Sequence, residues 1–217
     1  MSLPLNNKLS AGTFAKMLLD VGAVQLSPDE PFVWASGKVS PVYCDNRLTL
    51  SDSGIRRAIA HGMVALIEQE GWGPEVIAGT ATAGIPHATL VADRLALPLV
   101  YVRSAPKGHG RGRQVEGKLR EGQRVVIIED LVSTGSSVCK VAQALREAGA
   151  IVEGMVAIFS YQLPEAEENL RQAQLPWRTL TNFDVLLQVA QQKGQLSPDS
   201  LKVLQEWRET PDQWNVT

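Results

Sequence analysis

Apolar residues recur along this chain in two rhythms. Between Leu9 and Val21 they fall three or four apart, at Phe14, Met17, Leu18 and Val21, which predicts a helix. Phe32 to Arg47 reads as two short extended pieces around turns at Ser36-Gly37 and Ser40-Pro41. Ser51 is placed as the N-cap of a long helix, whose buried stripe is Ile55, Ile59, Met63, Leu66 and Ile67. Beyond it, short apolar runs alternate with helical spacing. Strands are predicted at Glu75–Ala78, Leu99–Val102, Arg124–Ile128 and Val152–Phe159, with a short one at Arg178–Leu180. The intervening helices run from about Pro86 to Leu95, Ser136 to Ala148 and Glu165 to Ala173, and the tail from Phe183 to Trp207 is mostly helical.

Strands that are apolar throughout, each followed by a helix, imply a sheet covered on both faces. The expected fold is therefore α/β, a central and mostly parallel sheet flanked by helices. Residues 1–50 would supply an N-terminal helix and a small hood, and residues 51–217 the core with its C-terminal helices. In such sheets ligands bind beyond the carboxyl ends of the strands. Candidate chemistry is therefore sought immediately after each strand.

Composition narrows the possibilities. At 217 residues and 44% hydrophobic, the chain can bury one large core. A formal net charge of −2 argues against a general nucleic-acid or membrane-surface binder, so any basic site must be local. Cys44 and Cys139 stand far apart without CxxC spacing, which suits a reducing compartment better than a zinc site or a disulfide framework. The first residues do not read as a signal peptide, and no apolar run approaches the roughly 18–20 residues of a membrane helix. A cytoplasmic protein with no membrane or nucleic-acid partner is expected.

The densest chemistry lies in Val125 to Ser137, VVIIEDLVSTGSS. A buried strand ends in two carboxylates, Glu129 and Asp130, and Ser133-Thr134-Gly135-Ser136-Ser137 then opens a helix. Small residues at a helix start expose backbone N–H groups at the positive end of the dipole, which makes a phosphate cradle. Carboxylates beside such a cradle would repel a bare phosphate. They suit a ligand that also offers hydroxyls, as a ribose 5-phosphate does. No Lys follows the glycine as a Walker A loop requires, and no strand is followed by GxGxxG.

A second concentration lies in Arg103 to Lys118, where Arg103, Lys107, His109, Arg111, Arg113 and Lys118 face one acid, Glu116. Four glycines and Pro106 make a regular helix or strand unlikely, and apolar anchors are nearly absent. This is the composition of a lid, mobile when empty, that closes on a polyanion and excludes water.

The segment from Glu129 to Ser137 resembles the signature of the type I phosphoribosyltransferases, enzymes that use phosphoribosyl pyrophosphate (PRPP). Arg103 followed by Lys107-x-His109-Gly110 resembles the catalytic loop of orotate phosphoribosyltransferases in particular. Ser36 to Arg47 is similar to that family's N-terminal SGxxSPxYxDxR motif, and Gly79 to Pro86 to its pyrophosphate loop. The resemblance covers roughly residues 10 to 190. It implies transfer of a phosphoribosyl group from PRPP to orotate, with Mg²⁺ as cofactor, held mainly through PRPP and water. It also implies a homodimer whose lid acts across the interface.

The resemblance assigns roles as well. Lys107, His109 and Asp130 would be catalytic. PRPP would contact Arg103, Lys107, His109, Ala83 and Gly84, together with Glu129, Asp130, Leu131, Val132, Ser133, Thr134, Gly135, Ser136 and Ser137. Orotate would contact Ser36, Gly37, Lys38, Tyr43 and Ser133. The chain departs from the family at Ala35, Ala83 and Ser104, where many members carry lysine, and no arginine answers a base-contacting one near Ser160-Tyr161-Gln162. Lys38 or Arg47 could substitute. Two rival readings are a phosphoribosyltransferase for another base and a PRPP-sensing regulator that binds nucleic acid. The second would need a basic stripe outside the lid, which the sequence lacks.

Overall fold

In the computed structural model, residues 9–33, 39–104, 114–211 and Trp214 are described. The helices are α1 (Ala11–Asp20), α2 (Ser53–Gln69), α3 (Gly84–Leu95), α4 (Ser136–Glu147), α5 (Pro164–Gln172), α6 (Phe183–Gln192) and α7 (Pro198–Glu209). Four short strands make the N-terminal part: β1 (Val24–Leu26), β2 (Phe32–Val33), β3 (Val39–Ser40) and β4 (Val42–Cys44). The remaining strands are β5 (Val76–Thr80), β6 (Leu99–Val102), β7 (Val115–Glu116), β8 (Arg124–Val132), β9 (Ile151–Ser160) and β10 (Trp177–Asn182).

These six form one sheet in the order β10-β9-β8-β5-β6-β7, parallel except at β7. The chain steps outward from β5 to β6, returns past β5 to β8, and then steps the other way to β9 and β10. The reversal falls between β5 and β8, and a sheet of this kind opens its ligand crevice at the carboxyl ends of such a pair. The two faces are buried separately. Val126, Ile128, Val156 and Ile158 pack beneath α1, α2, α3 and α6, while Val125, Ile127, Met155 and Ala157 pack beneath α4 and α5. Strand alternation assigns the two sets to opposite faces.

The N-terminal part forms two small antiparallel pairs, β1 with β4 and β2 with β3. A 3₁₀ helix, Asn46–Ser51, joins it to α2. The first helix packs on the core: Phe14 and Leu18 of α1 lie in the same cluster as Phe183 and Leu186 of α6.

Several expectations need correction. The cap of α2 is Asp52, whose side chain accepts from the Gly54 and Ile55 amides at 2.7 and 2.9 Å, while Ser51 closes the preceding 3₁₀ helix. Both residue types cap well, and the 3₁₀ turn decides between them. β8 continues four residues past Ile128, so the carboxylate pair lies within the strand and not after it. The two carboxyl groups nonetheless stay together, close enough for a side-chain contact between Glu129 and Asp130. The Gly-rich segment also contains a short strand, β7, held by antiparallel pairing of Val115 with Val102 and of Glu116 with Tyr101.

Candidate active site

The crevice between β5 and β8 gathers three of the segments singled out by sequence. β5 ends at Thr80, and Ala81 to Ala83 turn into α3. β8 ends at Val132, and Ser133 to Gly135 turn into α4. Neither helix has a side-chain N-cap, Ala83 preceding α3 and Gly135, at φ +76°, preceding α4. Two neighbouring helix starts therefore offer backbone N–H groups, the Ser136 amide meeting only a long 3.5 Å contact from the Thr134 hydroxyl oxygen, and the macrodipole adds to their pull on an anion. Ser136 and Ser137 are exposed, and Ser133 and Thr134 half-buried.

Between these two starts stands the acidic pair. Glu129 is buried, and its Oε1 accepts from the Thr80 hydroxyl at 2.7 Å and from the Asp130 amide at 2.9 Å. Burial, reinforced by the neighbouring Asp130 carboxylate, pushes its pKa up to about 8. Asp130 is half-buried beside it. Asn46 Nδ2 donates to the Asp130 carbonyl oxygen at 2.7 Å. The helix start approaches β5 and β8 closely enough to forbid a side chain. A Cβ on Gly84 would lie 2.3 Å from Thr80 Oγ1 and 2.6 Å from the Ile128 carbonyl oxygen. Gly84→Ala is therefore expected to destabilise the fold by about 1–3 kcal/mol, the usual cost of overpacking, and to displace Thr80 from Glu129. Chemical denaturation reads the first effect as a lower midpoint at unchanged slope.

Sequence reasoning missed three residues here: Asn46, Thr80 and His87. His87 lies in the first turns of α3 and is 1% exposed, and neither ring nitrogen has a hydrogen-bond partner among the described residues. Burial depresses its pKa to about 4, against the opposing pull of Asp130. Asn46 is equally buried, and its Oδ1 is also without a partner among the described residues. Thr80 had a weak signal, a hydroxyl ending an apolar strand. The other two had none, because their role depends on contacts across the fold.

Of the expected base contacts, Tyr43 is described. It is partly exposed on β4 and packs against Phe32, with ring centroids 5.7 Å apart. Ser36, Gly37 and Lys38 lie outside the described residues, as do Lys107 and His109. Arg103 stands at the sheet edge, its Nη1 3.8 Å from Glu116 Oε1 and its amide donating to the Gln114 carbonyl at 3.0 Å. Both cysteines are free, and burial raises both thiols above their ordinary range, so neither is a ready nucleophile. Among the described residues no cluster of three or more His, Cys, Asp or Glu side chains could hold a metal ion, and no helix is long and apolar enough to cross a membrane.

The family model for the phosphoribosyl transferase domain matches residues 50–172. An orotate phosphoribosyltransferase of Bacillus subtilis (strain 168) is 52% identical over 206 residues, covering 95% of each chain. One from Halalkalibacterium halodurans is 55% identical over 199 residues, 92% of this chain and 95% of its own. The chain belongs to the orotate phosphoribosyltransferase family. The crystal structure of orotate phosphoribosyltransferase from Aeropyrum pernix is similar at a TM-score of 0.72 and 30% identity, over 85% of this chain and 99% of that one. The structure of Leishmania donovani UMP synthase matches 95% of this chain over 43% of its own, at a TM-score of 0.76 and 26% identity. Of the residues the family resemblance marks for PRPP, the fold brings Glu129, Asp130 and the two helix starts, at Gly84 and at Ser133 to Ser137, to one crevice.

Proposed function

We propose that the protein transfers the phosphoribosyl group of PRPP to orotate, giving orotidine 5-monophosphate and pyrophosphate, a step of pyrimidine biosynthesis. The observation that carries this reading is the acidic pair standing between two uncapped helix starts at the switch point of the sheet. The start of α4 holds the 5-phosphate and the start of α3 the pyrophosphate. Asp130 accepts from a ribose hydroxyl, while Glu129, largely protonated at neutral pH, sits beside it without a second full charge. At the anomeric carbon the bond to pyrophosphate oxygen breaks as a bond to the base nitrogen forms, through an oxocarbenium-like state. No covalent nucleophile is required. The protein's task is to orient and to stabilise charge. Lys107 and His109 neutralise the departing pyrophosphate. Tyr43, with Ser36, Gly37 and Lys38, receives the base.

The acidic pair fits a Mg²⁺ that arrives on PRPP, since it offers carboxyl oxygens, the ligand type such an ion takes, on the ribose side. When bound, such an ion would neutralise pyrophosphate charge and make it a better leaving group.

The test is the loss of orotate ultraviolet absorbance on adding PRPP and Mg²⁺, run beside adenine, hypoxanthine and uracil. Turnover of orotate alone is expected. Turnover of a purine instead would replace the reading with the first rival, and PRPP binding without any turnover would favour the regulator.

The homodimer with a lid acting in trans belongs to the same proposal, as does a cytoplasmic location, which the two free cysteines favour. Lys107→Ala and Asp130→Ala homodimers are each expected to be nearly inactive. Mixed after dissociation, about half the re-paired dimers would be hybrids, and a trans lid would give each hybrid one intact site. Activity should then recover to at most roughly a quarter of wild type. With subunit exchange confirmed, no recovery would mean that Lys107 serves its own subunit.

A further inference from the structure

Asp130 sits where β8 outruns its neighbour β5. On one side the pairing of β5 with β8 ends at Gly79 and Ile128. On the other, the pairing with β9 continues past it, Glu129 standing opposite Ala157 and Leu131 opposite Phe159, so the open side is the one that faced β5. A backbone N–H and C=O in a half-buried strand must find partners elsewhere or carry a desolvation cost. Both are served by side chains. The N–H donates to Glu129 Oε1 at 2.9 Å, and the C=O accepts from Asn46 Nδ2 at 2.7 Å.

Asn46 comes from 84 residues earlier in the chain, and it is held as firmly as a core residue. It is 1% exposed and opens the 3₁₀ helix that follows β4. The Asp45 amide before it donates to the Ala23 carbonyl at 2.7 Å, and the Thr49 hydroxyl donates to the carbonyl of Asn46 itself at 2.6 Å. The amide must present nitrogen to Asp130, so its oxygen is committed to the other direction, where no partner stands among the described residues. A buried amide with an unpaired oxygen is a costly way to fill space, and an apolar side chain of like size would avoid that cost. What the amide provides is a donor on the side of β8 that β5 no longer covers.

We propose that Asn46 is a positioning residue for the reaction: by replacing the missing strand it fixes the backbone of Asp130, and so the carboxylate that meets the ribose, in register with the base-side segment. The proposal rests on the reading of Asp130 as a ribose contact. Asn46 touches no substrate; its whole effect passes through Asp130. Misplacement of a reacting group by about an ångström can cost up to 10²-fold in rate, so release of this carbonyl should be visible in kinetics.

The experiment is a double-mutant cycle on kcat/KM for PRPP, with Asn46→Ala, Asp130→Asn and the double variant. Asn46→Asp is the second substitution at the same place, since it keeps the shape and removes the donor even if the alanine variant folds poorly. Either change alone should lower kcat/KM by about tenfold or more. In the Asp130→Asn background the same change should cost less than about twofold, because contacts in series do not add. Equal factors in both backgrounds, or wild-type kinetics in Asn46→Asp, would overturn the proposal. Should Asp130→Asn alone leave kcat/KM unchanged, the ribose reading itself fails, and the two failures are told apart.

Discussion

Changing Asp130 to asparagine is expected to leave the fold intact and to cut kcat/KM for PRPP by roughly 10²-fold or more, the scale on which one preorganised polar contact acts. The side chains are nearly isosteric, and the hydrogen bond from Asn46 goes to the backbone carbonyl, so the substitution spares the local scaffold. What it removes is negative charge facing the crevice. Glu129→Gln should add to the loss through a different route. The Thr80 hydroxyl and the Asp130 amide both donate to Glu129 Oε1, and an amide can meet them only through its oxygen. Steady-state kinetics on the folded Glu129→Gln, Asp130→Asn double variant decide the matter. If that variant works at a near-normal rate, the acidic pair does not hold the ribose.

The second large effect concerns stability against pH. An exposed histidine titrates near 6.5, whereas His87 in the fold holds out to about 4. Between those values the unfolded chain carries a proton that the folded chain refuses. The contribution of His87 is therefore complete above pH 6.5 and is lost as pH falls toward 4, amounting to about 3 kcal/mol. Glu129 runs the opposite way. Its ordinary value is 4.5, and the fold raises it to about 8, so its contribution is complete below pH 4.5 and is lost as pH rises through 8. The two slopes oppose each other between pH 4.5 and 6.5, and stability should fall from there toward pH 8. Urea unfolding across that range reads both slopes. His87→Leu should flatten the acid limb and Glu129→Gln the alkaline one. Limbs of unchanged steepness in these variants would refute the assignments.

The parallel core was legible because its strands are short runs of valine and isoleucine, and burial on two faces requires that composition. The crevice was legible for the same reason: glycine and small hydroxyl residues follow β8 at once, and little but an anion explains them there. The edges were not. β1 and β7 have three and two residues, and pairing with β4 and β6 decides what propensity cannot. The acidic pair was found by sequence but not its place inside the strand, because the sequence does not mark where β8 ends. Asn46 and His87 lay hidden altogether. A buried asparagine reads like any turn residue until the carbonyl it serves, 84 positions away, is known.

The antiparallel pairing of β6 with β7 has a consequence for the reach of the basic segment. Because the Arg103 amide donates to the Gln114 carbonyl, the two ends of that segment are held at one point of the sheet edge. Eleven peptide steps that begin and end together can extend no further than five and a half steps outward, about 19 Å for a fully extended chain. If the proposed lid completes a neighbouring subunit, that length sets how closely the two must stand.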